Sequence, residues 1–183
     1  ADSNNVSPLD IAKRIDSNER DKIIYVLSLV HDKEKGSSLI NDEKSFISFC
    51  TSNMDRVKLY GSYYLLEAVK QKKCMIVSFL LKNSVSGDAR EDASSGGNTA
   101  LHYASKNGSE AIVCFLIQKG ATFENNREGK TPLDVAGNEI VKLILRIEFK
   151  GEVVSADICS AVIKSRRVEI LVSILKSKFD INS

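Results

Sequence analysis

Gly97-Asn98-Thr99-Ala100-Leu101-His102-Tyr103-Ala104-Ser105 is answered 32 residues later by Gly129-Lys130-Thr131-Pro132-Leu133-Asp134-Val135-Ala136. The two threonines hold the same place in each copy, so the chain reads as a repeat array. The Thr99 hydroxyl can satisfy an otherwise unpaired N–H in a first helical turn, which predicts an N-cap and a short helix reaching Lys106. Gly108 permits a tight turn after it. Over Glu110–Gln118, Ile112, Val113, Leu116 and Ile117 recur at helical spacing and give a second helix one apolar face. Gly120 is placed to end that helix in the left-handed conformation, and the polar stretch 122–130 has the length of a linking hairpin.

The same core returns upstream at a spacing of 36, where Leu65, Ala68, Ile76, Val77, Phe79 and Leu80 fall opposite Leu101, Ala104, Ile112, Val113, Phe115 and Leu116. Tyr63 and Tyr64 stand at the Thr-Pro positions and Leu66 at that of His, so the capping network is missing there. The extra residues swell the loop 85–96, whose Ser-Gly-Asp and Ser-Ser-Gly-Gly content is polar and predicts local mobility. Downstream, Pro132 suits a first helical turn, where its missing N–H costs nothing. A second helix over 139–149 begins four residues early and marks a shortened unit.

Farther out the pattern thins. After Gly151, Ile158, Ala161, Val168, Ile170, Leu171, Ile174 and Leu175 continue the core spacing, and Phe179-Asp180-Ile181-Asn182 closes it. At the start, Ser7-Pro8-Leu9-Asp10-Ile11-Ala12 is a variant of the motif, followed by apolar Ile23, Ile24, Val26, Leu27 and Leu29. Between them, Asn41 or Asp42 can cap a helix bearing Phe46, Ile47, Phe49 and Cys50. This segment is read as an extra helix inserted between repeats, with an eroded repeat as the alternative.

These motifs resemble the ankyrin repeat, whose signature is Thr-Pro-Leu-His-x-Ala at a period of about 33 residues. The resemblance is strongest over 97–147. It implies an all-α fold, an ankyrin-repeat solenoid of stacked helix-turn-helix units joined by hairpin loops. The units expected are 3–36, 58–93, 94–125, 126–151 and 152–183, with the helical segment 37–57 inserted, all in one domain.

Composition agrees with a helical array. There are two prolines, ten glycines and no Trp in 183 residues, which disfavours a large β-sandwich. The net charge of +2 supplies no global field to recruit nucleic acid or an anionic membrane, so neither is expected as a partner. No apolar run is long enough to cross a bilayer, and the polar start Ala1-Asp2-Ser3-Asn4-Asn5 is no signal peptide. Cys50, Cys74, Cys114 and Cys159 are scattered beside apolar neighbours, which predicts buried free thiols in a reducing compartment, hence the cytoplasm.

Raw material for chemistry is scarce. His31 and His102 are the only histidines, and His31 is read as solvated in a charged loop. In ankyrin repeats the Thr and His of the motif hydrogen-bond, so His102 is expected to be a structural clamp, with no Cys, Asp or second His at ligand spacing. There is no Gly-x-Ser-x-Gly elbow, and Ser95-Gly96-Gly97 lacks the Gly-Lys-Ser/Thr of a phosphate loop. Glu91-Asp92 lies in the polar loop with no means of holding a fixed separation, and Lys164-Ser165-Arg166-Arg167 reads as a hydrated turn. No enzyme, cofactor or metal is expected.

The resemblance implies instead a protein-protein interaction module, a monomer that displays a concave surface of hairpin tips and first-helix sides to another protein. Carrying the family's contact positions over gives Tyr60, Ser62, Lys70 and Gln71 in one unit, Asn98, Lys106 and Asn107 in the next, and Arg127, Glu128 and Lys130 in the third. Tyr60 is singled out as an aromatic at a loop tip. Alternatives are a regulatory or targeting ankyrin domain of a larger enzyme or channel, or a microbial effector acting on proteins of the host cytosol. The divergent repeats and the Lys, Ile, Asn and Ser bias resemble ankyrin proteins of intracellular bacteria or large DNA viruses.

Overall fold

The computed structural model describes residues 31–151. The motif variant at 7–12, residues 3–30 of the unit expected over 3–36, the unit expected over 152–183, Cys159 and the cluster at 164–167 lie outside the described residues. A helical segment through 39 is followed by α1 (Glu43–Ser52), α2 (Met54–Lys70), α3 (Cys74–Lys82), α4 (Ala100–Lys106), α5 (Glu110–Gln118) and α6 (Glu139–Lys150). The helices form two rows. Outer helix α1 packs on α3, α3 on α5 and α5 on α6, while inner helix α2 packs on α4. Among the described residues extended pairing is limited to an isolated antiparallel bridge between Arg90 and Thr99.

The rows exist because the 36-residue register puts matching apolar side chains face to face. Leu65 and Ala68 of α2, Leu101 and Ala104 of α4, Ile76, Val77 and Leu80 of α3, and Ile112, Val113 and Leu116 of α5 are all fully buried. Each such aliphatic side chain contributes about 1.5–3 kcal/mol, against about 1 kcal/mol for a helix cap. That ratio explains why the upstream unit stacks correctly without its motif. Phe79 and Phe115, also equivalent in register, pack against the core from half-buried positions.

Asp42 caps α1, its carboxylate accepting from the Lys44 and Ser45 N–H groups at 3.2 and 3.4 Å. Phe46 and Cys50 face inward from this helix, and Phe46 meets Tyr64 edge-on at 5.4 Å between ring centroids. His31 is exposed as expected, but within the helical segment rather than a loop.

Three readings are corrected. With no Thr-His clamp to start it at residue 64, α2 runs back to Met54 over 17 residues. Tyr60 and Ser62 therefore lie inside a helix and not at a hairpin tip. Gly61 lets the Val85 side chain pack closely on this helix, since a Cβ there would lie 2.5 Å from Val85 Cγ2. Secondly, the loop 85–96 is built as a hairpin: the Glu91 N–H donates to the Asn98 carbonyl at 3.0 Å, Ala100 N–H to that of Ala89 at 2.7 Å, and Ala93–Ser95 forms a 3-10 turn. Its polar side chains are what cross-link it, as Asp88 accepts from both the amide and hydroxyl of Thr122.

Thirdly, the helix expected to begin at Pro132 is only a turn over 132–135. Asn138, whose side chain accepts from the Val141 N–H at 2.8 Å, starts α6 too soon for a full helix to fit. Gly137 fills the gap by donating its N–H to the Ser105 carbonyl at 2.9 Å. A Cβ on Gly137 would lie 2.4 Å from the Lys106 carbonyl oxygen, a backbone atom that cannot rotate away. Gly137→Ala is therefore expected to lower stability by about 1–3 kcal/mol in urea melts. Lys119→Ala, on an exposed turn, should stay within about 0.5 kcal/mol.

Candidate functional site

The hairpin side of the stack is organised around Thr99 and His102. The Thr99 hydroxyl accepts from the His102 N–H at 3.3 Å and lies 2.8 Å from the ring Nδ1, and the Thr99 N–H donates to Nδ1 at 3.2 Å. A backbone N–H can only donate, so Nδ1 is an acceptor and the proton sits on Nε2. Nε2 then donates to the Lys130 carbonyl at 2.9 Å, across to the next hairpin. Burial pushes this imidazole below its usual range, against the opposing pull of the Lys130 carbonyl. His102 is thus the clamp expected of it. In the following unit Asp134 copies half of the arrangement, accepting from the Thr131 hydroxyl at 2.6 Å and the Thr131 N–H at 2.8 Å. A carboxylate only accepts, so Asp134 cannot donate onward as the His102 Nε2 does.

The hairpin tip at 126–130 is fixed by Asn126. Its Oδ1 accepts from the N–H groups of Glu128 and Lys130 at 3.0 and 2.9 Å, and its amide nitrogen donates to Asn98 Oδ1 at 2.9 Å. The Arg127 N–H donates to the Gly96 carbonyl, tying this tip to its predecessor. Arg127, Glu128 and Lys130 consequently present exposed side chains from a bonded backbone, with Lys130 paired to Glu128 at 2.7 Å.

The ten candidate residues divide by what already holds them. Asn107 is a structural link, donating from its amide to the Val69 and Lys70 carbonyls at the end of α2 at 3.1 and 3.3 Å. Lys70 is likewise engaged, 2.9 Å from Glu91, 3.2 Å from Glu67 and 4.9 Å from the Tyr103 ring centroid. Burial works against its charge, but the Glu91 and Glu67 carboxylates outweigh it and raise its pKa. Glu91, expected to be a solvated loop residue, is held against Lys70 and mostly covered. Gln71, Lys106 and the tip trio are exposed, as is Ser62, while Asn98 and Tyr60 are half-buried.

Two shallow grooves collect most of these groups. One, of about 360 Å³, brings Asn98, Lys106, Glu128 and Lys130 together over His102 and Tyr103. The other, of about 400 Å³, gathers Tyr60, Ser62 and Lys70 with Leu59, Tyr63 and Leu66 beside the hairpin 90–95. Gln71, Asn107 and Arg127 line neither groove. The sequence reading passed over Asn126, although Asn-x-x-Gly is a turn signal. It also passed over Leu59 and Tyr63, whose exposure depends on the length of α2.

Of the described cysteines, Cys50 is buried and its thiol pushed up to about 12 by burial, and Cys114 is half-buried and pushed up to about 11. Cys74 is a correction, since it lies exposed at the start of α3. No helix among the described residues is long and apolar enough to cross a membrane.

A two-row stack of helix pairs with hairpins projecting to one side defines a repeat solenoid. The family model of ankyrin repeats (3 copies) matches residues 38–127 and 65–157, about two thirds of the chain, and the protein belongs to the ankyrin repeat family. No curated protein matches it. Ankyrin repeats are generally protein-protein interaction modules and are typically non-enzymatic.

Removing the clamp leaves buried partners unpaired, so His102→Ala should cost about 2–3 kcal/mol in urea unfolding. The folded imidazole holds its proton less tightly than the unfolded one, so the unfolded state binds more protons below about pH 6.5. Stability is full above that value and falls as pH drops toward the folded pKa. Melts at pH 7.5 and 5.5 should show this loss in the wild type and a flatter response in His102→Leu; equal slopes would contradict the assignment.

Proposed function

We propose that the chain is a protein-binding module whose recognition surface is the concave face, centred on Asn98, Lys106, Arg127, Glu128 and Lys130. The observation carrying this reading is the bonding of the tip. Asn126, the Gly96 carbonyl and His102 hold the backbone of 126–130 and leave three charged side chains facing outward. A partner meeting this surface has little loop entropy to remove on binding. Mixed charge at the tip favours several modest polar contacts that set specificity more than affinity. Tyr60, Ser62, Lys70 and Gln71 belong to the proposal as its flank, with Lys70 acting through shape rather than as a free cation. Asn107 supports the surface from beneath. The unpaired thiols of Cys50, Cys74 and Cys114 fit a reducing compartment such as the cytosol.

The test compares capture of partner proteins from lysate by the wild-type chain and by Arg127→Glu/Lys130→Glu. Both residues are exposed, so the circular dichroism spectrum should not change. Bound protein should fall about tenfold in the double variant. Undiminished capture by a folded variant would reject this surface.

A further inference from the structure

The extended α2 gives the concave face a second character. Leu59, Tyr63 and Met75 are the exposed large apolar side chains among the described residues, and two of the three lie together in the groove beside hairpin 90–95. Leu59, Tyr63, Leu66 and Lys70 fall at helical spacing on one face of α2, so this seat is a stripe and not a scatter. Tyr63 is pinned there: Lys33 lies 4.1 Å from its ring centroid and the Ser37 hydroxyl donates to its oxygen at 3.2 Å. An exposed aromatic held in one orientation is suited to receive an apolar group.

The charges are distributed unevenly along the same face. In the apolar groove Lys70 is neutralised by Glu67 and Glu91 and Arg90 by Glu124, and the lining also holds Lys33 and Asp92, one charge of each sign. In the neighbouring groove and its rim, Lys106 and Arg127 form no ion pair among the described residues, whereas Glu128 is already satisfied by Lys130. The cationic excess therefore lies at Lys106 and Arg127. The two grooves meet where Lys70 covers Tyr103.

Resting on the concave face as the binding surface, we propose that its partner is a peptide segment carrying one bulky apolar side chain followed by carboxylates. The apolar group seats on Leu59, Tyr63 and Leu66, and the carboxylates meet Lys106 and Arg127. Register fixes the spacing. Lys106 stands opposite Lys70 at the 36-residue offset, and Tyr63 lies seven residues before Lys70. Seven helical residues and one interhelix step place the seat about 14 Å from Lys106. An extended peptide covers that distance in about four residues.

The test begins with a displayed random 12-residue peptide library selected on the full chain, with an unrelated protein as control. The expected consensus is a large apolar residue about four positions from Asp or Glu. A synthetic peptide of that consensus should bind Leu59→Ser about tenfold more weakly. It should bind Lys106→Glu/Arg127→Glu about tenfold more weakly, with its salt dependence lost, and a Lys-for-acid version of the peptide should restore binding to that variant. All three positions are exposed. Amide shifts of the labelled wild-type protein report the site without any substitution. Selected peptides that move Tyr103, Lys106 and Glu128 but lack the apolar-acidic pattern would overturn this partner class and leave the concave surface standing. Peptides that move only α3 and α5, or no selection above the control, would overturn both.

Discussion

The His102 imidazole ties the first turn of α4 to the next hairpin, alongside the Arg127–Gly96 and Asn126–Asn98 bonds. Through Nδ1 it closes the first turn of α4 on Thr99, and through Nε2 it holds the Lys130 carbonyl of the next hairpin. One neutral ring thus couples local helix formation to the spacing between units. Burial keeps it neutral, and neutrality is what gives the ring one donor and one acceptor. Asp134 shows the requirement from the other side. It accepts from Thr131 well, yet a carboxylate has no N–H to donate to a neighbour, and 132–135 is a turn ahead of the Asn138 cap.

Because the polar groups near the clamp are used internally, the surface is defined by what they leave over. Asn107 holds the end of α2, Asn126 holds the tip, and Lys70 is spent on Glu67 and Glu91. Lys106 and Arg127 remain beside the Glu128–Lys130 pair. Conserving the scaffold and presenting charge are therefore done by different side chains in the same few loops. Such a division lets a stacked array vary its surface while the core keeps its register.

The largest departure from regularity changes the surface as well as the fold. Where the Thr-His clamp is missing, α2 extends backward and exposes Leu59 and Tyr63 beside hairpin 90–95. The core register tolerates this because Leu65, Ala68, Ile76, Val77 and Leu80 alone bury enough apolar surface to hold the unit in the stack. Loss of a cap at one position is thus converted into an apolar seat at another.

The repeat, both helices of its best copy, the Thr99 cap and the structural role of His102 were legible in the residues themselves, because helical spacing and capping are local properties read over a few positions. The core register at a spacing of 36 was legible for the same reason, as was a cap at Asn41 or Asp42, of which the structure uses Asp42. Tyr60 and Ser62 were misplaced because a missing motif does not say where the longer helix begins, and it begins at Met54. Likewise Lys70 and Asn107 read as free polar residues until Glu91 and the Val69 carbonyl, 21 and 38 residues away in sequence, came within bonding distance. Sequence alone determined the scaffold, since every copy of the repeat restates it. Tertiary structure decided which side chains stay unengaged at the surface, since that depends on partners brought together only by stacking.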